Sequence, residues 1–416
     1  MKMLAGTMTE KILANKLDRD HVRPGEVVEV LVDKAMIHDN NAALVMKNFE
    51  RIYSPKIWDP KKVVFFIDHH SPSTTIKASK HHDSMRKFAK KHSINNFYDC
   101  GCGISHVVMI EDGHARKGNI VVGTDSHTTG EGALGSFATG IGATEMAAVL
   151  VTGKIWLKVP HTIRINAEGK WPIGTTPRDL INMILNKFGP DGASYCAVEF
   201  GGEVFRNMDI DGRIMSCVMS MEMGAKNSLI DDDSTTQITP EYLSISNIDV
   251  EQLKPLVAVP DLPTNAVPAE QLSKEKIKVD QAAIISCAGA LLSDLKQASD
   301  ILKDRCVAKG TRLLIMPATR TIYSLALSLG YIKTLHDSGA IIAAPGCGAC
   351  GAHDSGIITD GEVCISSSTR NMNGRMGPGG KVYLGSSAVV AASAITGYIT
   401  DPREFLQGYR GADNVE

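Results

Sequence analysis

Short runs of apolar, β-branched residues alternate with longer amphipathic stretches, and this alternation constrains the chain more than any other feature. Val63-Val64-Phe65-Phe66-Ile67 carries no polar residue on either face, so it reads as a strand covered on both sides, ending at Asp68-His69. Ser79–Lys91 then has the spacing of a surface helix. Ile120-Val121-Val122-Gly123 is a second such strand, ending at Asp125-Ser126-His127, with a helix expected over Ala143–Trp156 after a Gly/Ala-rich segment. Thr162–Ile165, Ala282–Ser286 and Ile341–Ala344 read as further strands, and Leu291–Lys303 as a helix. Strands and helices in alternation build sheets covered by helices, an α/β fold. Ligands bind beyond the strand ends of such sheets, which is where the Asp-His pairs fall.

A chain of 416 residues is too long for one ordinary core. Val159-Pro160 and the polar, Pro-containing stretch Pro255–Lys278 suggest boundaries, giving three expected domains at 1–160, 161–278 and 279–416. Hydrophobic residues at 43% and charged residues at 22% exclude a disordered chain. Lys+Arg 44 against Asp+Glu 46 leaves a net charge of −2, so no global positive field gathers nucleic acid or anionic lipid. The opening Met1–Thr7 turns charged at Glu10-Lys11 before any apolar signal region develops. The most apolar stretches, Ala133–Thr152 and Ser386–Thr400, are too rich in Gly, Ser and Thr to read as spanning helices. A soluble cytoplasmic protein is expected. Nine cysteines, an odd number spread over a long chain, read as reduced thiols with some used for metal.

Two motifs drop out. Gly140-Ile141-Gly142-Ala143-Thr144-Glu145 starts like a dinucleotide fingerprint but has Glu where the third glycine is needed. The basic run Lys80–His92 contains Asp83 and, apart from Phe88, no stacking surface, so it reads as a solvated helix face.

Three constellations carry chemistry. Gly346-Cys347-Gly348-Ala349-Cys350-Gly351 places two thiols in a glycine loop, suited to a redox pair, half a zinc site or part of an iron–sulfur site. Cys287, where a strand gives way to a turn, would complete a three-thiolate set, and Cys364 is the nearest fourth ligand for zinc. The second constellation is His69 beside Asp68, His106 in Gly103-Ile104-Ser105-His106, and His127 beside Asp125. A carboxylate next to an imidazole raises its pKa and fixes its tautomer, as a general acid needs. The third is the polar loop Ser366–Gly377, where Arg370 and Arg375 could grip a di- or tricarboxylic acid.

In this order along the chain, these motifs resemble the aconitase superfamily, most closely its 3-isopropylmalate dehydratase and archaeal homoaconitase large subunits. The matching residues are Asp68-His69, Gly103-Ile104-x-His106, Gly123-x-Asp125-Ser126-His127-Thr128, Ser286-Cys287, Pro345-Gly346-Cys347-x-x-Cys350 and Arg370-Asn371-x-x-Gly374-Arg375-Met376-Gly377. The resemblance implies three α/β/α domains around a central [4Fe-4S] cluster, held by Cys287, Cys347 and Cys350 with one iron open to substrate. It implies that His69, His106 and His127 are catalytic, with Asp68, Asp125 and Glu222 as carboxylate partners and His69 protonating the departing hydroxyl. Ser126, Arg370, Arg375 and His38 match substrate-binding positions.

The implied reaction is dehydration and rehydration of a malate-type 2-hydroxy acid, foremost 3-isopropylmalate. The alternatives are 2,3-dimethylmalate or homoaconitate, or a non-catalytic cluster- or zinc-binding paralogue. Long-chain members carry a fourth, swivelling domain with a serine base, and this chain ends before one, so a separate small subunit is implied as partner. Where relatives usually read Ser-Cys-Thr-Asn-Gly-Arg, this chain has Ser286-Cys287-Ala288-Gly289-Ala290-Leu291. Val218 and Thr369 each stand where the family has asparagine. These departures imply a smaller or less polar substrate, or a divergent paralogue. Cys100 and Cys102, just before His106, are unusual and expected to be ordinary thiols.

Overall fold

The computed structural model describes residues 6–232, 240–351 and 355–406. The first five residues of the N-terminal stretch discussed above lie outside these. The chain divides into two compact units, Met1–Gly169 with Pro190–Ile248, and Lys170–Gly189 with Asp249–Glu416.

In the first unit, β1 (Val27–Leu31) pairs with a later strand in an antiparallel ribbon. The main sheet follows: β2 (Lys34–His38), β3 (Val63–Phe66), β4 (Asn96–Tyr98), β5 (Ile120–Gly123) and β6 (Phe137–Gly140), in the order β4-β3-β2-β5-β6 and parallel throughout. All four residues of β3 and of β5 are buried, as their unbroken apolar runs require. The ribbon closes with β7 (Lys154–Lys158). A second sheet takes β8 (Thr162–Glu168), β9 (Ala197–Gly201), β10 (Asn227–Ile230) and β11 (Ser244–Asp249), in the order β10-β9-β8-β11.

The second unit is built on seven strands: β12 (Leu256–Ala258), β13 (Ala266–Pro268), β14 (Gln281–Ile284), β15 (Arg312–Ile315), β16 (Ile341–Ile342), β17 (Val363–Ser366) and β18 (Lys381–Leu384). Their order is β13-β12-β18-β17-β14-β15-β16, with β14 to β18 parallel and β12 antiparallel to its neighbours.

Strand order reverses between β2 and β5 in one sheet and between β14 and β17 in the other. Chains leaving two such strands diverge, and the crevice between them is where open α/β sheets bind ligands. His38 closes β2 and Asp125 follows β5, while Cys287 follows β14 and the arginine loop follows β17. Each sheet therefore delivers its polar residues to its own switch point.

Two sequence expectations give way. The helix expected over Ala143–Trp156 stops at Thr152, because Gly153 caps it in the left-handed region at φ 68, and the apolar Ile155 and Leu157 continue as β7. The stretch Pro255–Lys278 is no bare linker: it holds β12, β13 and the helix Ala269–Glu275. Among the described residues no helix is long and apolar enough to cross a membrane.

Candidate active site

Asp68 leaves β3 and turns its two carboxylate oxygens to different tasks. Oδ1 pairs with His69 Nδ1 at 2.8 Å, and Oδ2 accepts from the Ser105 backbone N–H at 2.8 Å. The second bond ties it to the first turn of the helix Ser105–Glu111, whose next residue is His106. Asp125 caps the 3₁₀ segment Ser126–Leu134 by accepting from the His127 N–H at 2.7 Å, so local backbone chemistry sets the direction of its carboxylate.

That carboxylate is the hub of the first unit. Oδ1 lies 3.3 Å from His106 Nε2 and 3.4 Å from His127 Nδ1; Oδ2 lies 3.5 Å from His69 Nε2 and 3.7 Å from His38 Nε2. His127 Nε2 reaches Glu222 Oε1 at 2.9 Å. Burial alone would raise the Asp125 pKa, but hydrogen bonds from His106, His127 and His69 hold it well below the ordinary carboxylate range. His106 shows the converse. Burial works against its charged form, yet Glu131 and Asp125 overcome that and push the imidazole up to about 10. His38, 1% exposed, stacks on the His69 ring with centroids 4.3 Å apart, and its pKa is lowered by burial and by the charge of His69.

Sequence reasoning missed two carboxylates of this network. Glu131, fully buried within Gly130-Glu131-Gly132, sits 3.3 Å from His106 Nδ1. Asp39 accepts from the His69 and His70 backbone N–H groups at 3.1 and 2.9 Å and pairs with His82 at 3.3 Å. An acid inside an apolar, glycine-rich run was the available signal for Glu131. Asp39 follows the end of β2 and carried the same strand-end signal as Asp68. Val218 packs against Gly130, where an added Cβ would come 2.7 Å from its Cγ2. An apolar side chain thus fills the place of the family's asparagine.

The second unit holds the thiols. Ser286, with φ at 84, takes a left-handed conformation uncommon for a serine, and its Oγ accepts from the Ala288 N–H at 3.2 Å. The turn presents Cys287, which is 6% exposed. Cys350 lies in the 3₁₀ turn Gly348–Gly351, its Sγ 3.6 Å from Thr369 Oγ1 and 4.0 Å from Arg375 Nη2. Cys287, Cys347, Cys350 and Cys364 stand outside any disulfide, and Cys364 is fully buried, its thiol pushed up to about 12 by burial. Three sulfur donors, two of them buried, with a guanidinium and a hydroxyl beside one, make an environment that stabilises thiolates bound to iron. The donor set fits a cluster held by three cysteines.

The loop after β17 is fixed by a residue that no motif flagged. Arg178, 4% exposed, donates to Ser367 O at 2.9 Å, Ser368 O at 2.7 Å and Asn182 Oδ1 at 3.2 Å. Arg370, half-buried, lies two residues beyond Ser368. Ala288, Ala290 and Leu291 are buried at 2%, 0% and 1%, so the family's missing polar groups are replaced here by core packing.

The model of the aconitase family (aconitate hydratase) matches residues 10–253 and 235–397. The chain belongs to the aconitase family. Among its relatives is the 3-isopropylmalate dehydratase large subunit 1 of Methanopyrus kandleri, 40% identical over 96% of this chain and 99% of that one. The probable methanogen homoaconitase large subunit of Methanothermobacter thermautotrophicus is also 40% identical, over 97% and 99%. The crystal structure of Thermococcus kodakaraensis aconitase X superposes on this aconitase-family chain with a TM-score of 0.52 over 88% of its length, at 11% identity, a likeness of fold alone.

Proposed function

We propose that this chain is the large subunit of an iron–sulfur hydro-lyase that interconverts 3-isopropylmalate and 2-isopropylmalate by dehydration and rehydration. The observation that carries the reading is the convergence of His69, His106 and His127 on the buried Asp125. Removing hydroxide from a hydroxy acid needs a proton at the departing oxygen, and a carboxylate-backed imidazole supplies one. The names of the relatives agree with it, and their wording implies a separate small subunit.

Cys287, Cys347 and Cys350 would hold a [4Fe-4S] cluster, which when bound supplies a Lewis-acidic iron for the substrate's hydroxyl and carboxylate. The chain's own residues supply the rest. Asp68 on Nδ1 of His69 holds the ring in one tautomer and leaves Nε2 as the atom that gives up or takes the proton. Glu222 does the same for His127 from Nε2. His106, held charged by Glu131 and Asp125, fixes positive potential beside them. Ser126, Arg370 and Arg375 bind the substrate's carboxylates, the arginines through paired N–H donors, and His38 backs His69 by stacking.

Homoaconitate is the second reading, because the homoaconitase relative is as similar as the dehydratase. Protein purified without oxygen decides between these and the rest. Iron and sulfide with turnover of 2-isopropylmalate, once a small subunit is added, is the expected result. Turnover of homoaconitate alone would reassign the substrate. Zinc in place of iron, or a cluster whose EPR spectrum ignores every acid, would leave a binding protein.

A further inference from the structure

A cavity of about 360 Å³ in the first unit has Asp125, Ser126, Thr139, Glu145, Tyr195 and Lys226 in its lining. None of the chemistry above uses its Glu145, Tyr195 and Lys226. Lys226 is half-buried there; its Nζ has a backbone acceptor, Gly140 O, at a long 3.5 Å, and lies 5.6 Å from the centroid of the Tyr195 ring. Lys158 stands over the same ring at 5.2 Å. Among the described residues no carboxylate comes within ion-pair distance of Lys226.

The two acids that line the cavity are already engaged. Glu145 accepts from the Gly142 N–H at 2.9 Å, capping the helix Ala143–Thr152, and Asp125 is surrounded by imidazoles. An ammonium drawn partly out of water without a counter-ion is costly, and an anion entering the cavity removes that cost. Burial lowers the Lys226 pKa, and the charge of Glu145 offsets this only in part. Ser126 belongs to the same lining. A lining that carries an ammonium beside a hydroxyl-bearing residue suits a carboxylate.

We propose that Lys226 is a substrate-binding residue, receiving a carboxylate of the hydroxy acid in this cavity and so helping to set which acids are accepted. The inference rests on the hydro-lyase reading for the identity of the acid. Its test uses the cluster-loaded chain with its small subunit. Lys226→Met is expected to raise KM for 2-isopropylmalate by about 10- to 100-fold with kcat within about threefold, and Lys226→Arg to recover most of that loss. A second readout needs no turnover. With lysines reductively ¹³C-dimethylated, the resonance missing from Lys226→Arg is expected to shift when 2-isopropylmalate is added and to stay put with its neutral diester.

An unchanged KM in Lys226→Met, or a resonance that ignores 2-isopropylmalate or follows inorganic phosphate equally well, overturns the assignment. If Lys226→Met fails to fold, Lys226→Arg and the resonance decide. A wild-type complex without turnover defeats the hydro-lyase reading instead, while the resonance still reports whether this acid reaches Lys226.

Discussion

Glu222 Oε1 lies 2.9 Å from Nε2 of His127, a residue 95 positions earlier in the chain. Both side chains are almost fully buried, at 8% exposure each, so the pair is not a solvated surface contact. The bond occupies one ring nitrogen of His127 and leaves the other toward Asp125 at 3.4 Å. A short 3₁₀ turn, Ser220–Met223, delivers the carboxylate, after a helix that packs beside the Ser126–Leu134 segment.

Glu222→Gln keeps shape and removes charge. The ring of His127 then faces an uncharged amide that can donate as well as accept, so its tautomer is no longer uniquely fixed, and kcat is expected to fall by about 100-fold with little change in KM. Circular dichroism and melting should stay close to wild type, since an amide can still accept from Nε2. A variant with wild-type kcat would remove Glu222 from the mechanism.

The pH dependence of stability follows from His106. Its folded pKa, about 10, lies above the ordinary value of 6.5. The folded state therefore holds this proton more tightly than the unfolded chain does. The resulting stabilisation is complete below about pH 6.5 and is lost as pH rises toward 10. Urea midpoints measured across this window should fall for wild type, and the slope should flatten in His106→Gln. An equal slope in both would mean that the ring is neutral in the folded protein.

Much of this network was legible in the sequence, and the reasons are physical. Asp68-His69 and Asp125-x-His127 follow apolar runs that can only be buried parallel strands, and such strands end at ligand sites. Asp39 and Glu131 carried a local signal but not a partner, because their role lies in what they accept from across the fold: backbone N–H groups 30 residues away for one, an imidazole 25 residues away for the other. The overrun of the Ala143 helix into β7 has a local cause. Apolar residues resume at Ile155 after only Thr152-Gly153-Lys154, and the left-handed conformation of Gly153 marks the stop.

The cysteines make the sharpest test of the second unit. Cys350→Ser replaces a thiolate with a hydroxyl that binds iron poorly, while Cys364→Ser changes a buried thiol that the proposed cluster does not use. The first is expected to strip iron and sulfide and to lower kcat by more than about 1,000-fold. Cys364→Ser should keep its iron. Removing iron from wild type with a chelator under oxidising conditions should reproduce the Cys350→Ser state, and iron with sulfide and reductant should reverse it only in the wild type. Metal content that drops equally in both variants would remove the distinction between ligand and core cysteine.

Arg178 has the least visible role and a specific prediction. Its guanidinium is buried and donates to two consecutive carbonyl oxygens, Ser367 and Ser368, immediately before Thr369 and Arg370. Arg178→Met fills similar space but leaves those carbonyls and Asn182 Oδ1 without this donor. Each unsatisfied buried acceptor costs about 1–3 kcal/mol, so the variant should lose roughly 2–5 kcal/mol after partial relaxation. Arg178→Lys retains the charge but not the fork that reaches both carbonyls at once, and should fall between. Thr369 sits 3.6 Å from the Cys350 sulfur, so a loosened loop is felt at the thiol as well as at the arginine. Folded Arg178→Lys protein should therefore show a raised KM for 2-isopropylmalate and an altered EPR spectrum at unchanged iron content. If stability falls while KM and spectrum stay at wild-type values, Arg178 supports the fold and does not position the arginine loop.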